Sequence, residues 1–212
     1  MSDTKLVCFD LDDTLIREIH SVMYLSILNN AFEEIIEIEK REANGEFTWI
    51  EADYHKAKLA YGLDIEKIST EFNHVLKPIN NISNVIATLR RLGFKCILVT
   101  AGPKQVAEVA CNIWGLDGYY GSDYEIVDRK FTGRIINHIG DKGKISCLQE
   151  YCNKYEISPD NCIAIGDGAS DIPLFEHCGC SIAINYSNVT IGKATHYIKT
   201  DDLSDILNFI IR

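Results

Sequence analysis

Long apolar segments and positive charge are both scarce in this sequence. No stretch approaches the roughly 18 consecutive apolar residues of a membrane-spanning helix, and no apolar signal segment follows the polar residues 1 to 5. Lys and Arg number 21 against 31 Asp and Glu, which gives a net charge of −10. Because nucleic acids and anionic membrane surfaces repel such a chain, we expect neither as a partner.

Cysteine and histidine patterns typical of metal-binding or disulfide-rich proteins are also absent. None of the eight cysteines forms a Cys-x-x-Cys pair, and the six histidines lack the spacing of a zinc site. Cys8, Cys96 and Cys162 fall within predicted buried strands, where free thiols behave as small apolar residues. Cys178 and Cys180 flank a glycine, and loop packing explains them better than a redox or metal pair. This cysteine use predicts a reducing, cytoplasmic location.

The order of predicted strands and helices indicates the fold class. A chain of 212 residues is long enough for a full core and is interpreted as one domain with an insertion. Strands near 6–9, 95–99, 162–165 and 181–184 alternate with helices near 82–92, 104–114, 144–156 and 170–178. This alternation predicts an α/β fold with a doubly wound, Rossmann-like parallel sheet. Residues 124–139 predict a β-hairpin, and residues near 119–121 a separate short strand.

A long insertion with helical periodicity separates the first two core strands. It covers residues 15–80, which is too long for a simple crossover, and Thr48 and Glu51 within it have capping-box spacing. We expect a helical cap domain here, above the strand ends, and an α/β core formed by residues 1–14 and 81–212. A cap in this position would exclude water from the crevice and select the substrate.

The segment 7–14, Val-Cys-Phe-Asp-Leu-Asp-Asp-Thr, is the most informative part of the chain. Its strand places Asp10 and Asp12 at the edge of the sheet where open parallel sheets bind ligands. Two such charges about 4 Å apart repel by roughly 4 kcal/mol at an effective dielectric constant of 20, so they require a cation or a shared proton. A nucleophilic, metal-bound Asp10 and a proton-donating Asp12 would meet that requirement. An Asp-rich turn is the structural alternative.

A second acidic cluster follows a later strand. In residues 162–171, Cys-Ile-Ala-Ile-Gly-Asp-Gly-Ala-Ser-Asp, an apolar strand leads to Asp167 between two glycines and then to Asp171. The glycines permit a tight turn and close approach to a ligand. We place Asp171 in the first helical turn, facing back toward Asp167. Gly-Asp-Gly alone could be an ordinary turn, but two strand-end acidic clusters together favour a site.

A hydroxyl group ends another predicted strand. Thr100 follows the apolar residues 96–99 and precedes the helix predicted to begin near residue 104. Its side chain and the backbone N–H groups of Ala101 and Gly102 could bind phosphate oxygens at that helix start. A threonine that only caps the helix is the alternative.

The helical period selects a lysine for the same site. Lys144 shares a stripe with Leu148, Tyr151, Cys152 and Tyr155, and this stripe must pack on the sheet. A lysine in the first turn of that stripe is therefore expected to point toward the carboxylates. Lys142 lies off the stripe and is the second choice, and a lysine that only extends to solvent is the alternative.

These motifs together resemble a known family. Asp10-Leu-Asp12-Asp-Thr14, Thr100 after a strand, Lys144 and Gly166-Asp167-Gly-Ala-Ser-Asp171 occur in the order of the four motifs of the haloacid dehalogenase superfamily. The resemblance spans nearly the whole chain. An acid at position 12 is similar to the phosphatase and phosphomutase branches, and the chain is most similar to the phosphoserine phosphatase branch.

The resemblance implies a role for each motif residue. Asp10 would be the nucleophile and Asp12 the general acid and base, while Thr100 and Lys144 would hold the phosphoryl group. Magnesium would be bound by the Asp10 and Asp167 carboxylates and the Asp12 backbone carbonyl, with Asp171 holding a metal-bound water or orienting Lys144. These roles agree with phosphoryl transfer, which is catalysed mainly by positioning and charge neutralisation.

Substrate selection is expected in the insertion. In the phosphoserine phosphatase branch a cap glutamate binds the substrate ammonium, and Glu18 lies near that position, although Ile19 could be the matched residue. Lys56 stands where the branch has an arginine, and lysine cannot reproduce the bidentate grip on a carboxylate. Trp49, Lys56 and His55 are candidate specificity residues, with packing or surface exposure as the alternative.

The sequence therefore predicts a magnesium-dependent phosphatase that acts on a small phosphorylated metabolite, with phosphoserine as the leading candidate. A phosphomutase acting on a sugar phosphate would use the same four motifs. A phospho-acceptor module similar to a receiver domain also clusters acids with a threonine and a lysine. Receiver domains lack a helical insertion after the first strand, however.

Overall fold

A seven-stranded sheet forms the centre of the computed structural model, which describes residues 5–211 apart from the side chains of residues 141 and 142. The strands within these residues are β1 (Lys5–Phe9), β2 (Ile16–Arg17), β3 (Lys77–Pro78), β4 (Phe94–Pro103), β5 (Gly118–Val127), β6 (Lys130–Asn137), β7 (Cys162–Gly166), β8 (Cys180–Ile184) and β9 (His196–Ile198). The central sheet has the order β6-β5-β4-β1-β7-β8-β9, in which β6 runs antiparallel to β5 and the other neighbouring strands are parallel. The predicted doubly wound α/β fold is confirmed.

Helices cover the sheet and fill the insertion. The α-helices in the described range are α1 (Ser21–Leu28), α2 (Phe32–Ala43), α3 (Trp49–Ala57), α4 (Glu66–Val75), α5 (Ile82–Arg91), α6 (Lys104–Trp114), α7 (Gly140–Tyr155), α8 (Ile172–His177) and α9 (Leu207–Ile210). The predicted helix 104–114 has the bounds of α6. Gly115 ends that helix with φ of +75°, a conformation that glycine adopts at low cost. Not one helix of the described chain is both long and apolar enough to cross a membrane.

Alternate residues of the central strands pack on opposite faces of the sheet. Val7 and Phe9 belong to the larger apolar cluster, whereas Leu6 and Cys8 belong to the smaller one. Each face is therefore covered by its own layer of helices, as two-sided burial of a parallel sheet requires. Among the sheet-packing residues of α7, Leu148, Tyr151 and Cys152 are buried, but Tyr155 at the end of the predicted stripe is 40% exposed.

Two strand predictions change in the structure. The short strand near 119–121 and the first arm of the predicted hairpin form one continuous strand, β5. The first half of β5 pairs with β4 and its second half with β6, so a single strand serves two partners. The predicted hairpin is present, with Asp128 and Arg129 at positive φ in its turn. The strand predicted to end at residue 99 continues through Thr100 to Pro103.

Helices α1 to α4 lie between β2 and β3, so the insertion is helical as expected. The strands β2 and β3 pair antiparallel, with Ile16 opposite Pro78, so the chain enters and leaves the insertion at adjacent points. Phe72 of α4 packs its ring against Trp114 of α6 at a centroid distance of 5.6 Å, which connects the insertion to the sheet-covering helices. The assignment of residues 15–80 to a separate cap domain stays a prediction.

Candidate active site

Three neighbouring strands bring three predicted site residues to one edge of the sheet. Asp10 follows β1, which pairs with β4 on one side and β7 on the other. Thr100 lies near the end of β4 and Asp167 directly follows β7. The backbone N–H of Asp10 donates to the carbonyl of Ile165 in β7 at 2.9 Å. This hydrogen bond fixes the position of Asp10 relative to the end of β7. Residues distant in the sequence therefore meet because their strands are adjacent and parallel.

Lys144 projects from the first turns of α7 into this edge. Its Nζ atom donates to Asp10 Oδ1 at 2.7 Å and to Asp171 Oδ1 at 2.7 Å, and the residue is only 1% exposed. The inward direction agrees with its place on the sheet-packing stripe. The alternative choice, Lys142, has a side chain outside the described residues.

Asp171 uses both of its carboxylate oxygens within the protein. Oδ1 accepts from Lys144, and Oδ2 accepts from the backbone N–H groups of Asp167 and Gly168 at 3.1 and 3.2 Å. A side chain on Gly166 would occupy the space of the Asp171 carboxyl group, so this position requires glycine. This geometry favours the orienting role for Asp171 over the role of holding a metal-bound water.

The oxygens that remain open define where a cation would bind. Asp10, Asp167 and Asp171 each offer a carboxylate oxygen within 4.8 Å of the others. The Thr14 hydroxyl lies 3.4 Å from both Asp10 Oδ2 and Asp167 Oδ1, and therefore marks the point where these two acids face each other. Since Asp171 is occupied by its own partners, Asp10 and Asp167 are the side chains best placed to hold a cation. Their oxygen ligands suit a hard divalent ion such as Mg²⁺.

The electrostatics of the cluster also fit a cation. Burial raises the pKa of Asp10 well above its ordinary value, and Lys144 offsets only part of that rise. Burial, with Asp171 beside it, raises the pKa of Asp167 to about 7. Burial alone would lower the pKa of Lys144, but the negative charges of Asp10 and Asp171 outweigh this effect. The pKa is therefore raised above its ordinary value, and the ammonium group stays charged. One ammonium among three carboxylates leaves buried negative charge that a divalent ion would neutralise.

Asp12 is held by a residue of the insertion. Ser21, the first residue of α1, donates its backbone N–H to Asp12 Oδ1 at 2.6 Å and its hydroxyl to Oδ2 at 2.7 Å. Burial raises the pKa of Asp12, while the nearby His20 and the Ser21 hydrogen bonds oppose that rise. Ser21 was not predicted as a site residue. Its only sequence signal was a serine near the start of a helix, which is common in all proteins.

The Thr100 segment packs closely against this arrangement. The Thr100 side-chain oxygen accepts the backbone N–H of Gly102 at 3.0 Å, and Thr100 is buried. A Cβ atom on Gly102 would overlap the Ser21 hydroxyl and lie 3.1 Å from Asp12 Oδ2. Glycine is therefore required where the β4 segment, α1 and Asp12 meet.

A cavity of about 310 Å³ opens above Asp12. Ala101, Gly102, Trp49 and Lys56, all predicted to bind the substrate, line it. The insertion contributes most of the other wall residues, which are His20, Val22, Met23, Glu39 and Asp53. The cavity therefore lies between the strand-end edge of the sheet and the helices of the insertion.

Glu18 does not line this cavity, and its predicted role in substrate binding stays a prediction. The residue is exposed, has a φ of +68°, and is not among those that line the cavity. The left-handed turn at Glu18, directly after β2, directs the next residue, Ile19, against the apolar core. His55 is also outside the cavity wall and packs its ring against Phe47.

Two acids of the insertion were missed by the sequence prediction. Glu39 of α2 lies 3.8 Å from the Lys56 Nζ atom, and Asp53 of α3 accepts from the nearly buried His138 at 2.9 Å. His138 follows β6, so its contact with Asp53 joins the insertion to the core. Neither acid belongs to a recognisable motif. Only the packing of α2 and α3 over the sheet brings them to the cavity.

Comparison with known proteins agrees with the motifs. The family model described as haloacid dehalogenase-like hydrolase matches residues 7–176. The chain is 29% identical over 202 residues to a phosphoserine phosphatase of Archaeoglobus fulgidus, covering 95% of this chain and 58% of that protein. A phosphoserine phosphatase of Methanocaldococcus jannaschii is 25% identical over 207 residues, which are 97% of each chain. With shares of 58, 44 and 46%, the chain spans about half the length of the first three curated relatives that it matches.

Solved structures share the same architecture. A structure described as a phospho-aspartyl intermediate analogue of phosphoserine phosphatase superposes with a TM-score of 0.82 and 25% identity, covering 97% of this chain and 98% of the other. A substrate-bound phosphoserine phosphatase complex has a TM-score of 0.83 at 24% identity and covers 99% of both chains, which supports the fold.

Proposed function

The chain belongs to the haloacid dehalogenase-like hydrolase family, and from that premise we propose that it is a phosphatase that hydrolyses a small phosphate monoester. The observation that carries the proposal is the position of Lys144, which is held between Asp10 and Asp171 at the sheet edge, while Asp12, two residues after Asp10, lines the cavity. A nucleophile, a proton donor and a fixed ammonium group thus lie together at the edge of the sheet where the cavity opens.

In the first step Asp10 attacks the phosphorus atom of the ester. A bond forms between a carboxylate oxygen of Asp10 and phosphorus, the ester P–O bond breaks, and the leaving alcohol takes a proton from Asp12. The relative whose structure is described as a phospho-aspartyl intermediate analogue supports this route. Lys144 and the Thr100 hydroxyl, which the Gly102 N–H holds in place, stabilise the negative charge on the phosphoryl oxygens.

In the second step water releases the phosphate. Asp12, now ionised, takes a proton from a water molecule as the water oxygen bonds to phosphorus and the bond to Asp10 breaks. Asp12 is again protonated and Asp10 is again a carboxylate, so the cycle closes. Ser21 keeps the Asp12 carboxyl group in one orientation through both steps.

Asp10 and Asp167 are the residues that would hold the cation, with the Asp12 backbone carbonyl as a further ligand, and we propose Mg²⁺. When bound, such an ion supplies neutralisation of charge on the transferring phosphoryl group. Asp171 remains the residue that orients Lys144 and the loop of Asp167.

Phosphoserine is the first substrate to examine, because the named relatives are phosphoserine phosphatases. The experiment measures inorganic phosphate released from phosphoserine and p-nitrophenyl phosphate in the presence of Mg²⁺. We expect steady turnover that falls at least about a thousandfold in Asp10→Asn, because the nucleophile is lost. The control is Asp160→Asn, which changes an exposed acid and should retain activity.

Other outcomes would replace the proposal. Phosphate that reappears on the same carbon skeleton, instead of in solution, indicates a mutase. A long-lived phosphorylated Asp10 with negligible turnover, detected as a mass increase of the intact protein, indicates a phospho-acceptor.

A further inference from the structure

We propose that the phosphatase selects esters whose alcohol carries a positively charged amine, read by Glu39 and Trp49, and that it does not read a carboxylate on the same alcohol. This inference rests on the proposed function and assigns the substrate class of that site. It differs from the sequence expectation, in which Glu18 and Lys56 read the ammonium and carboxylate groups of phosphoserine.

The ammonium group of Lys56 is already matched by carboxylates. Its Nζ atom lies 2.8 Å from Glu42 Oε2 and 3.8 Å from Glu39 Oε1, and the Lys56 side chain is only 11% exposed. Glu42 does not line the cavity. Because these two carboxylates already balance its charge, Lys56 offers little net attraction to a substrate carboxylate.

The other residue of the cavity wall that can carry positive charge, His20, is also paired with a carboxylate. Among the described residues that line the cavity, His20 and Lys56 are those that can carry positive charge. The His20 ring donates from Nε2 to Asp13 Oδ2 at 2.9 Å, and this hydrogen bond raises the pKa of His20 to about 9. Whether or not its ring is charged, His20 is paired with the Asp13 carboxylate, so the pair provides no net attraction for an anion.

Glu39 is the acid in the wall with the weakest internal pairing. Its closest ion-pair distance is the 3.8 Å to Lys56, and its side chain is 31% exposed. Asp53, by comparison, is held at 2.9 Å by His138, and Asp12 by Ser21. A substrate ammonium group entering the cavity therefore finds Glu39 available.

The remaining wall suits a short amine. Val22, Met23 and Trp49 provide apolar and aromatic surface in the same cavity as Glu39, and aromatic rings attract organic cations through their electron-rich faces. The volume of about 310 Å³ lies at the lower end of the range for small-molecule pockets. Because a phosphoryl group bound beside Asp10 and Asp12 takes part of that space, the remaining space suits a short alcohol.

The test compares four esters with Mg²⁺ present, chosen to separate the two charges. Phosphoethanolamine carries the amine alone, phosphoserine both groups, 3-phosphoglycerate the carboxylate alone, and glycerol 3-phosphate neither. We expect kcat/KM for phosphoethanolamine to equal or exceed that for phosphoserine. Both should exceed the two esters without an amine by at least about tenfold, the ratio given by about 1.4 kcal/mol.

Variants of residues in α2 test whether Glu39 recognises the amine of the substrate. Glu39→Gln should raise KM for the two amines about tenfold, with a smaller change in kcat, and reduce their advantage over glycerol 3-phosphate. The matched control is Glu37→Gln, which changes an exposed acid on the same helix. Glu42→Gln should lower the preference for amine over carboxylate, because it leaves Lys56 free either to bind the carboxylate or to pair with Glu39.

Measurements of ester binding distinguish failure of this inference from failure of the proposed function. Calorimetry of the four esters with the Asp10→Asn protein and Mg²⁺ measures the preference without turnover. If the natural sequence hydrolyses neither these esters nor p-nitrophenyl phosphate, the phosphatase proposal fails, and the binding preference alone decides whether Glu39 reads an amine. A tenfold advantage of phosphoserine over phosphoethanolamine that disappears in Lys56→Gln would overturn the inference, as would tighter binding of either ester without an amine.

Discussion

The active-site region has two ends that are built differently: a rigid end at the sheet edge, formed by Asp10, Lys144 and Asp171, and an adaptable end in the insertion, where Glu39 and Lys56 line the cavity. At the sheet edge, Lys144 and Asp171 are each 1% exposed and Asp10 is 5% exposed, with both Lys144 contacts at 2.7 Å. At the opposite end, Glu39 is 31% exposed and its contact with Lys56 is 3.8 Å long. Buried charges with fixed partners have few alternative positions, whereas partly exposed side chains can adapt to a ligand. We infer that the sheet edge sets the reaction and the insertion sets the substrate.

Removing the Lys144 ammonium group from the rigid end should have the largest effect in this comparison. Lys144→Met leaves Asp10 and Asp171 buried without their shared partner, so we expect the free energy of unfolding to fall by about 3–5 kcal/mol. Phosphatase activity should fall at least about a hundredfold, because the charge that stabilises the transferring group is lost. Urea unfolding and phosphate release measure the two effects.

The control for this change is Lys154→Met on the same helix, where the lysine is exposed. The double variant Lys144→Met with Asp171→Asn should recover part of the lost stability, because one uncompensated charge is removed. Equal stability of the Lys144 and Lys154 variants would contradict the contrast between a rigid and an adaptable end.

Adding the proposed cation should sharpen the contrast by stabilising the rigid end alone. At a Mg²⁺ concentration 100 times its Kd, binding to the folded state adds about 2.7 kcal/mol to the free energy of unfolding. Thermal unfolding with Mg²⁺ and with a chelator measures this shift. The shift should vanish in Asp167→Asn and persist in Asp201→Asn, which changes an exposed acid.

A change at the contact between the two ends should affect catalysis through Asp12. In Gly102→Ala the new methyl group displaces Ser21, which holds Asp12, so we expect kcat to fall about 10- to 100-fold, equivalent to the roughly 1–3 kcal/mol of an overpacked site. Gly168→Ala is the control, since no atom lies within 4 Å of a Cβ atom there. Similar kcat values for the two variants would show that Ser21 does not position Asp12.

The smallest expected effect lies at the adaptable end. The Thr48 side-chain oxygen accepts the Glu51 backbone N–H at 3.3 Å and caps α3, the helix that carries Trp49 and Lys56. Thr48→Ala should cost about 1 kcal/mol of stability, as measured by urea unfolding. Since α3 contributes no reacting group, kcat for p-nitrophenyl phosphate should change little. Thr70→Ala in the interior of α4 is the control, and an equal loss of stability there would contradict the capping role.

The rigid end could be predicted from the sequence because its signals are local. An apolar strand followed by an acid predicts both the position and the direction of Asp10 and Asp167. The helical period of α7 predicts that Lys144 faces the sheet. In each case a few neighbouring residues determine where the side chain points, and the parallel order of β1, β4 and β7 then brings them together.

The adaptable end could not be predicted in the same way. Glu18 was expected to bind the substrate from its distance after the first motif, but a left-handed turn places it at the surface. Glu39, Asp53 and Ser21 carry no local signal for a site. Their roles depend on how α1, α2 and α3 dock above the sheet, which is a contact between segments far apart in the chain.

The sequence alone determined the fold class, the family and the residues at the strand ends, because strand and helix periodicities are short-range properties of the chain. The tertiary structure decided which oxygens remain open to a cation, which residue holds Asp12 and which charged residues line the cavity. These features depend on distances of a few ångströms between separate elements, and packing, unlike periodicity, is a property of the whole folded chain.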